Sequence, residues 1–186
     1  IEERLKELSN IKGNIDFYLE KIKLTRSAYS HSTFEVRKIK ERYAYFINVN
    51  LEIRDIDKYA EIVCESYLNS DAIESGSEPG HIVLTMGRKN IMSQEFKVYN
   101  GIGLLLNNSN KNISNVKPIS QDLYAVTYHV GAYSKIQNTY KNLFRFITEN
   151  KYGIKGDAVE VSVTDIAYTD NIDEYVTAIQ IPVTKE

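Results

Sequence analysis

The sequence holds one cysteine, three histidines and no tryptophan among its 186 residues. The lone thiol, Cys64, cannot form an intramolecular disulfide and fits a reducing compartment, so a cytoplasmic location is expected. His31, His81 and His129 are scattered and have no cysteine partner, which argues against a zinc site; neither metal nor cofactor is expected. No stretch approaches a membrane span, and no basic-then-apolar start marks a signal peptide. Charge of one sign is not in excess either: 23 Lys and Arg against 25 Asp and Glu leave a formal charge of -2, with no overall field to draw in nucleic acid. What is abundant is tyrosine, 14 residues, whose apolar body and polar tip suit wet cores and ligand pockets alike. A 42% hydrophobic content supports a real core, and the length fits one domain or two small ones fused.

The most informative stretch is 156–183, GDAVEVSVTDIAYTDNIDEYVTAIQIPV. From Ala158 to Thr164 the residues alternate, with Val159, Val161 and Val163 on one side and Glu160, Ser162 and Thr164 on the other. Period two is the strand signature, and the valines want the packed face. Glu160 is left on the opposite face, either solvated on an open sheet or beside the aromatic rim of the next strand, Tyr175 to Ile181. Carboxylate charge and ring quadrupole together can hold a cation there.

Upstream, residues 1–24 have helical spacing. Ile1, Leu5, Leu8, Ile15, Leu19 and Ile22 alternate by four and three, as on a coiled-coil seam. Lys12 interrupts an inner position, and Gly13 costs about 1 kcal/mol of helix stability. The helix is read either as a short dimer contact or as packed on its own domain. Thr25 to Thr33 is a polar linker. Phe34 to Ile39 alternates like an edge strand, and Arg37, Lys38, Lys40 and Arg42 beside it read as a solvated guard against strand addition.

Tyr43 to Val49 reads as a strand and Asp55 to Leu68 as a helix, with Ile56, Tyr59, Ile62, Val63 and Tyr67 on its inner face and Cys64 as a small buried filler. His81 to Met86 and Glu95 to Tyr99 form a strand pair. Gly101, Gly103 and the Asn/Ser run 107–115 close this half. The plan then recurs: Leu123 to Val130 a strand, Gly131 to Thr148 a turn and helix with Ile136, Tyr140, Leu143, Phe144 and Ile147 inward, then the strand pair of 156–183. Tyr43-Ala44 matches Tyr124-Ala125, and Tyr59 matches Tyr140, both 81 residues apart. The expected fold is α+β: two strand–helix–strand–strand repeats, about 34–106 and 116–186, forming one largely antiparallel sheet with helices on one face. A groove is expected at the pseudo-two-fold, with Glu160 looking into it.

Gly131-Ala132-Tyr133, AVEVSVTD around Glu160 and the closing DEYVTAIQIPV resemble the GyrI-like effector-binding domain of BmrR-type regulators in the MerR family, over residues 34–186. The resemblance implies a module for small, lipophilic, often cationic molecules, in which a buried Glu of the penultimate strand meets the ligand's charge among tyrosines. Glu160 falls at that Glu, Tyr175 at the tyrosine of the closing strand and Tyr59 at the one in the first helix. Tyr133 partly replaces a family tyrosine that would fall at Ile136. Two departures, Ala178 for an acid and Ser162 for a tyrosine, are expected to enlarge or depolarise the groove. The candidate binding residues are therefore Glu160, Tyr175, Tyr59, Tyr133, Ser162 and Tyr140. Helix 1–24 is similar to the MerR dimerisation helix, which implies a homodimer. The chain starts at Ile1 rather than Met, so a helix-turn-helix, the only expected route to DNA, is taken to be missing upstream.

Two other functions fit a GyrI-like scaffold: a hydrolase using Glu160 and Tyr175 as general base and proton donor, or a protein-binding module with a shallow groove. The effector-binding, non-enzymatic reading is preferred, because no nucleophile–base pair or metal set stands out.

Overall fold

The structure is a computed structural model, and it describes residues 33–74, 79–107 and 113–185 with isolated positions of the first 23 residues. Leu5, Leu8, Ile15, Leu19 and Ile22 are helical and 49–62% exposed. Arg4, Ile11, Lys12 and Lys23 are also helical and exposed, whereas Ile1, Gly13 and residues 24–32, with His31, lie outside the described residues. No described helix is long and apolar enough to cross a membrane.

The chain builds strands β1 (Glu35–Ile39) and β2 (Arg42–Glu52), helix α1 (Ile56–Leu68), then β3 (Pro79–Met86) and β4 (Val98–Leu106). It repeats with β5 (Val116–Ile119), β6 (Asp122–Val130), helix α2 (Ile136–Glu149), a short β7 (Tyr152–Ile154), β8 (Ala158–Thr164) and β9 (Val176–Lys185). All strand pairs are antiparallel, in the order β1-β6-β9-β8-β3-β4-β2-β5, with β7 pairing β9. Exchanging each strand for its counterpart in the other unit reverses this order and leaves it unchanged. The pseudo-two-fold axis therefore runs between β3 and β8, where Leu84 is paired with Glu160. The units also trade edges: β1 pairs with β6 of the second unit, and β5 with β2 of the first.

Repeat register differs by one residue from the sequence match. β2 and β6, the 3-10 turns Ile53–Asp55 and Tyr133–Lys135, and α1 and α2 each begin 80 residues apart, not 81. On that register Ile56, Val63 and Tyr67 correspond to Ile136, Leu143 and Ile147, all buried. Tyr140 then corresponds to Ala60. The Tyr-Ala match between the strands is a coincidence of composition: Ala44 and Ala125 are buried in clusters on opposite faces of the sheet.

A larger cluster joins α1 and α2 to one face through Tyr45, Leu84, Met86, Tyr99, Ile102, Ile136, Tyr140 and Ile179. A smaller one, with Phe46, Val83, Val161, Val163 and Ala178, lies on the other face and contains no helical residue. Curvature of the sheet covers it, since β1 and β2, far apart in strand order, are joined only by Lys40 and Glu41. Gly101 and Gly103 sit within β4 instead of ending it. A Cβ on Gly103 would lie 2.4 Å from the Tyr45 carbonyl oxygen and 2.7 Å from the Phe46 ring, so only glycine fits under that ring. Cys64, expected inside, is exposed, and Ile62 is 38% exposed on the outer side of α1.

Candidate ligand-binding site

Glu160 is 1% exposed, and its face of β8 is the helix-covered one. The valine alternation separates the two faces of the strand as the pattern requires. The helices, however, settle on the acid's side. Glu160 thus faces the larger core, directly across the axis strand from Leu84.

The Tyr140 hydroxyl, from α2, donates to Glu160 Oε1 at 2.6 Å. Phe96 stacks on the Tyr140 ring at 4.9 Å and 13° and holds it in place. The fully buried Tyr99 also faces the carboxylate, near enough to favour its charged form, although among the described residues neither its hydroxyl nor Glu160 Oε2 makes a hydrogen bond of good geometry. Burial pushes the Glu160 carboxyl up to about 7, with the hydroxyls of Tyr140 and Tyr99 pulling the other way. Burial, and then the Glu160 charge, raise the Tyr99 and Tyr140 phenols well above their ordinary value, so both remain protonated donors.

Tyr133 approaches from the turn before α2. Its pKa is raised by burial and by Glu160, while the Thr177 hydroxyl on β9 acts against the rise. The turn is held by two devices. Gly131 adopts φ +101° and gives its N–H to the Tyr175 carbonyl at 2.8 Å. His129 Nε2 lies 3.0 Å from the Ala132 carbonyl, which accepts its proton, while Nδ1 is 2.8 Å from the Thr139 hydroxyl. Burial lowers the His129 pKa, which favours the neutral ring in which Nδ1 accepts from Thr139.

Ser162 shares the Glu160 face, is 5% exposed and donates to Asp165 Oδ2 at 2.8 Å. In register, Ser162, Thr177 and His129 form a polar row across three strands. Tyr175 is half-buried just before β9; some burial and then the charges of Asp57, Asp165 and Asp170 raise its pKa. Asp57 and Asp165 also act on Tyr133, so an acidic rim surrounds these two tyrosines. Tyr59 is half-buried against the same core with the Lys58 ammonium 5.9 Å from its ring, and nothing among the described residues joins it to Glu160. Ala178 belongs to the other face, in the valine cluster, so the absence of an acid there does not alter the surroundings of Glu160.

A buried carboxylate, three phenols and an acidic rim thus stand close together. The sequence matches the GyrI-like small molecule binding domain over residues 35–184. The chain belongs to this family. EcmrR in its DNA complex within EcmrR-RPo shares the fold at 18% identity and a TM-score of 0.66, covering 100% of this chain and 69% of that one. The EcmrR C-terminal domain aligns at 17% identity and a TM-score of 0.68, covering 83% of this chain and 98% of that one. An uncharacterized conserved protein from Listeria innocua gives 13% identity and a TM-score of 0.50, over 82% of this chain and 93% of that one. No curated protein matches the sequence.

Two open cavities, of about 590 and 410 Å3, lie on the valine face, and neither is lined by Glu160. Glu160 itself is covered in this structure. Sequence reasoning missed Tyr99, Phe96 and Thr177. Tyr99, in β4, and Phe96, in the turn before it, stand some sixty residues from Glu160, next to glycines that read as a terminus. Among the described residues no cluster of three or more His, Cys, Asp or Glu is placed to hold a metal.

Proposed function

We propose that this GyrI-like domain is the effector-sensing part of a MerR-type transcriptional regulator and that its ligands are lipophilic monocations held at Glu160. One observation carries the reading: a carboxylate 1% exposed, with one oxygen unpartnered, among Tyr140, Tyr99 and Tyr133. A buried acid without a counter-charge costs stability, and most buried polar groups are satisfied. A lipophilic cation supplies charge to Oε2 and takes contact from aromatic faces, and a neutral molecule of the same shape supplies no charge. The acidic rim of Asp57, Asp165 and Asp170 favours approach of the same sign of ligand. The ligand-binding residues are Glu160, Tyr140, Tyr99 and Tyr133, with Tyr175 and Ser162 at the rim and Tyr59 further along the core. Because Glu160 is covered, entry requires the groups above it to shift, and that cost is subtracted from the affinity.

The regulator reading is supported by the fold shared with EcmrR, a protein that one of its structures captures on DNA. Residues 1–24 then form the dimer contact through their exposed Leu5, Leu8, Ile15, Leu19 and Ile22. We read the site as binding without turnover. A pKa near 7 would suit a general base, but Tyr175, the donor that a hydrolase needs, feels Asp57, Asp165 and Asp170 rather than Glu160.

The test is a titration with crystal violet, a monocation, and its neutral leuco form. Crystal violet is expected to bind at least tenfold tighter, and Glu160→Gln to remove the difference. Equal affinity for the two dyes, or an unaltered preference in Glu160→Gln, rejects the proposal.

A further inference from the structure

The opposite face of the sheet carries a feature that the effector reading does not use. The cavity of about 590 Å3 has an apolar floor of Val161, Val163 and Ala178, from β8 and β9. Its wall is the segment from Arg37 to Tyr43, the β1–β2 connection that closes the curl. Among the described residues, four basic side chains of that segment, Arg37, Lys38, Lys40 and Arg42, line it with one acid, Glu41, while Glu35 beside it pairs with Arg37.

β1 is an edge strand with Lys38 and Lys40 exposed, as an edge guard requires, but the two arginines are half-buried and engaged. Arg37 Nη2 donates to the Tyr128 hydroxyl at 3.1 Å, and its Nη1 pairs with Glu35 at 3.0 Å. Arg42 Nη2 donates to Gln180 Oε1 at 2.8 Å. Tyr128 and Gln180 are 6% and 5% exposed, so each arginine is tied to a buried partner at the cavity wall, with the Arg37 side chain still 38% exposed. Such fixed donors are well suited to an oxyanion.

The second cavity, of about 410 Å3, is the pseudo-two-fold mate of the first and is walled by the equivalent β5–β6 connection. Its charges cancel: Lys117 and Lys155 face Asp122 and Asp157, and Lys155 pairs with Asp122. The same architecture is thus neutralised in one unit and left with cationic excess in the other, and the excess is a property of the first cavity rather than of the fold.

We infer that the Arg37–Arg42 cavity is a second ligand site, for small amphipathic monoanions whose acid head meets the arginines and whose apolar body covers Val161, Val163 and Ala178. The volume falls in the range of small-molecule sites. An apolar floor beneath the charged wall suits a discrete amphipathic molecule better than a polyphosphate chain, which has no apolar body to cover it. The domain would then sort ligands by sign, cations on the helix face and anions on the valine face. This site does not depend on Glu160, so either assignment can fail alone.

The experiment uses the full chain, the fluorescent monoanion 8-anilinonaphthalene-1-sulfonate, and N-phenyl-1-naphthylamine, which has the same rings without the sulfonate. The anion is expected to bind one to one and at least tenfold tighter than its neutral counterpart. Arg37→Gln should weaken it about tenfold and Lys40→Gln about threefold, as loss of a charged contact implies. Lys117→Gln, in the mate cavity, should leave it unchanged. Equal affinity for the two probes, no effect of Lys40→Gln, or an equal loss in Lys117→Gln overturns the inference. Lys40 is exposed, so its variant decides the matter even if Arg37→Gln does not fold.

Discussion

Replacing Glu160 by glutamine should stabilise the ligand-free domain, and by an amount that grows with pH. The carboxyl has a pKa of about 7 in the folded chain against an ordinary 4.5. Below pH 4.5 it is neutral in both states, and its contribution to stability is intact. As pH rises towards 7 the unfolded chain ionises while the folded one holds the proton, so stability is lost, and the loss is complete once pH passes the folded value. The full penalty is about 3 kcal/mol, because each tenfold change in the acid's dissociation constant is worth roughly 1.4 kcal/mol. Glutamine has the same shape. It keeps an acceptor for Tyr140 and presents an N–H2 on the side where Oε2 and the Tyr99 hydroxyl lack partners. The gain should be about 1 kcal/mol at pH 5.5 and about 3 kcal/mol at pH 8.5. In a thermal melt the larger figure is roughly 5–10 °C for a domain of this size. A gain that is the same at both pH values, or a loss at pH 8.5, would refute the picture of a buried acid that ionises only at a cost.

Cation affinity should follow the ionised fraction of Glu160: crystal violet should bind about tenfold tighter at pH 8 than at pH 6, by fluorescence titration, and a flat profile speaks against Glu160 as its partner. Tyr140→Phe removes the one hydrogen bond to Oε1, so the pH midpoint of that profile should move above 7 and the protein should lose about 1–3 kcal/mol in urea unfolding. Gly103→Ala places a methyl group against the Tyr45 carbonyl and the Phe46 ring and should cost about 3 kcal/mol, whereas at Gly87, where the nearest atom is 3.7 Å away, the same change should stay within about 1 kcal/mol. Leu8→Glu with Ile15→Glu should convert a dimer to a monomer in light scattering; an unchanged mass would mean that helix 1–24 is not the contact.

Much of the fold could be read from local pattern. Alternation in 158–164 and the three-and-four spacing of Ile136, Tyr140, Leu143 and Ile147 mark elements whose periods differ, and the duplicated plan implies a two-fold sheet. Where glycine interrupts, the reading stopped early: β4 runs on through Gly101 and Gly103 because the Phe46 ring takes the space their side chains would need. One residue of error in the repeat register had a larger consequence, since a single step turns a helix by about 100° and a strand to its other face. It made Tyr59 the twin of Tyr140, whereas only Tyr140 reaches Glu160.

Sequence alone determined that an acid stands among valines on a strand, and that it must point away from them. Which side of that strand would be roofed by helices was decided by tertiary structure. Period two divides residues between faces but carries no label for the face that helices cover, and a sheet curled on itself can bury the valines without any helix. Folding put Glu160 under α2, brought Tyr99 and Phe96 from another unit to its side, and left Oε2 without a well-aligned partner among the described residues. These contacts are long-range, and no local pattern encodes them.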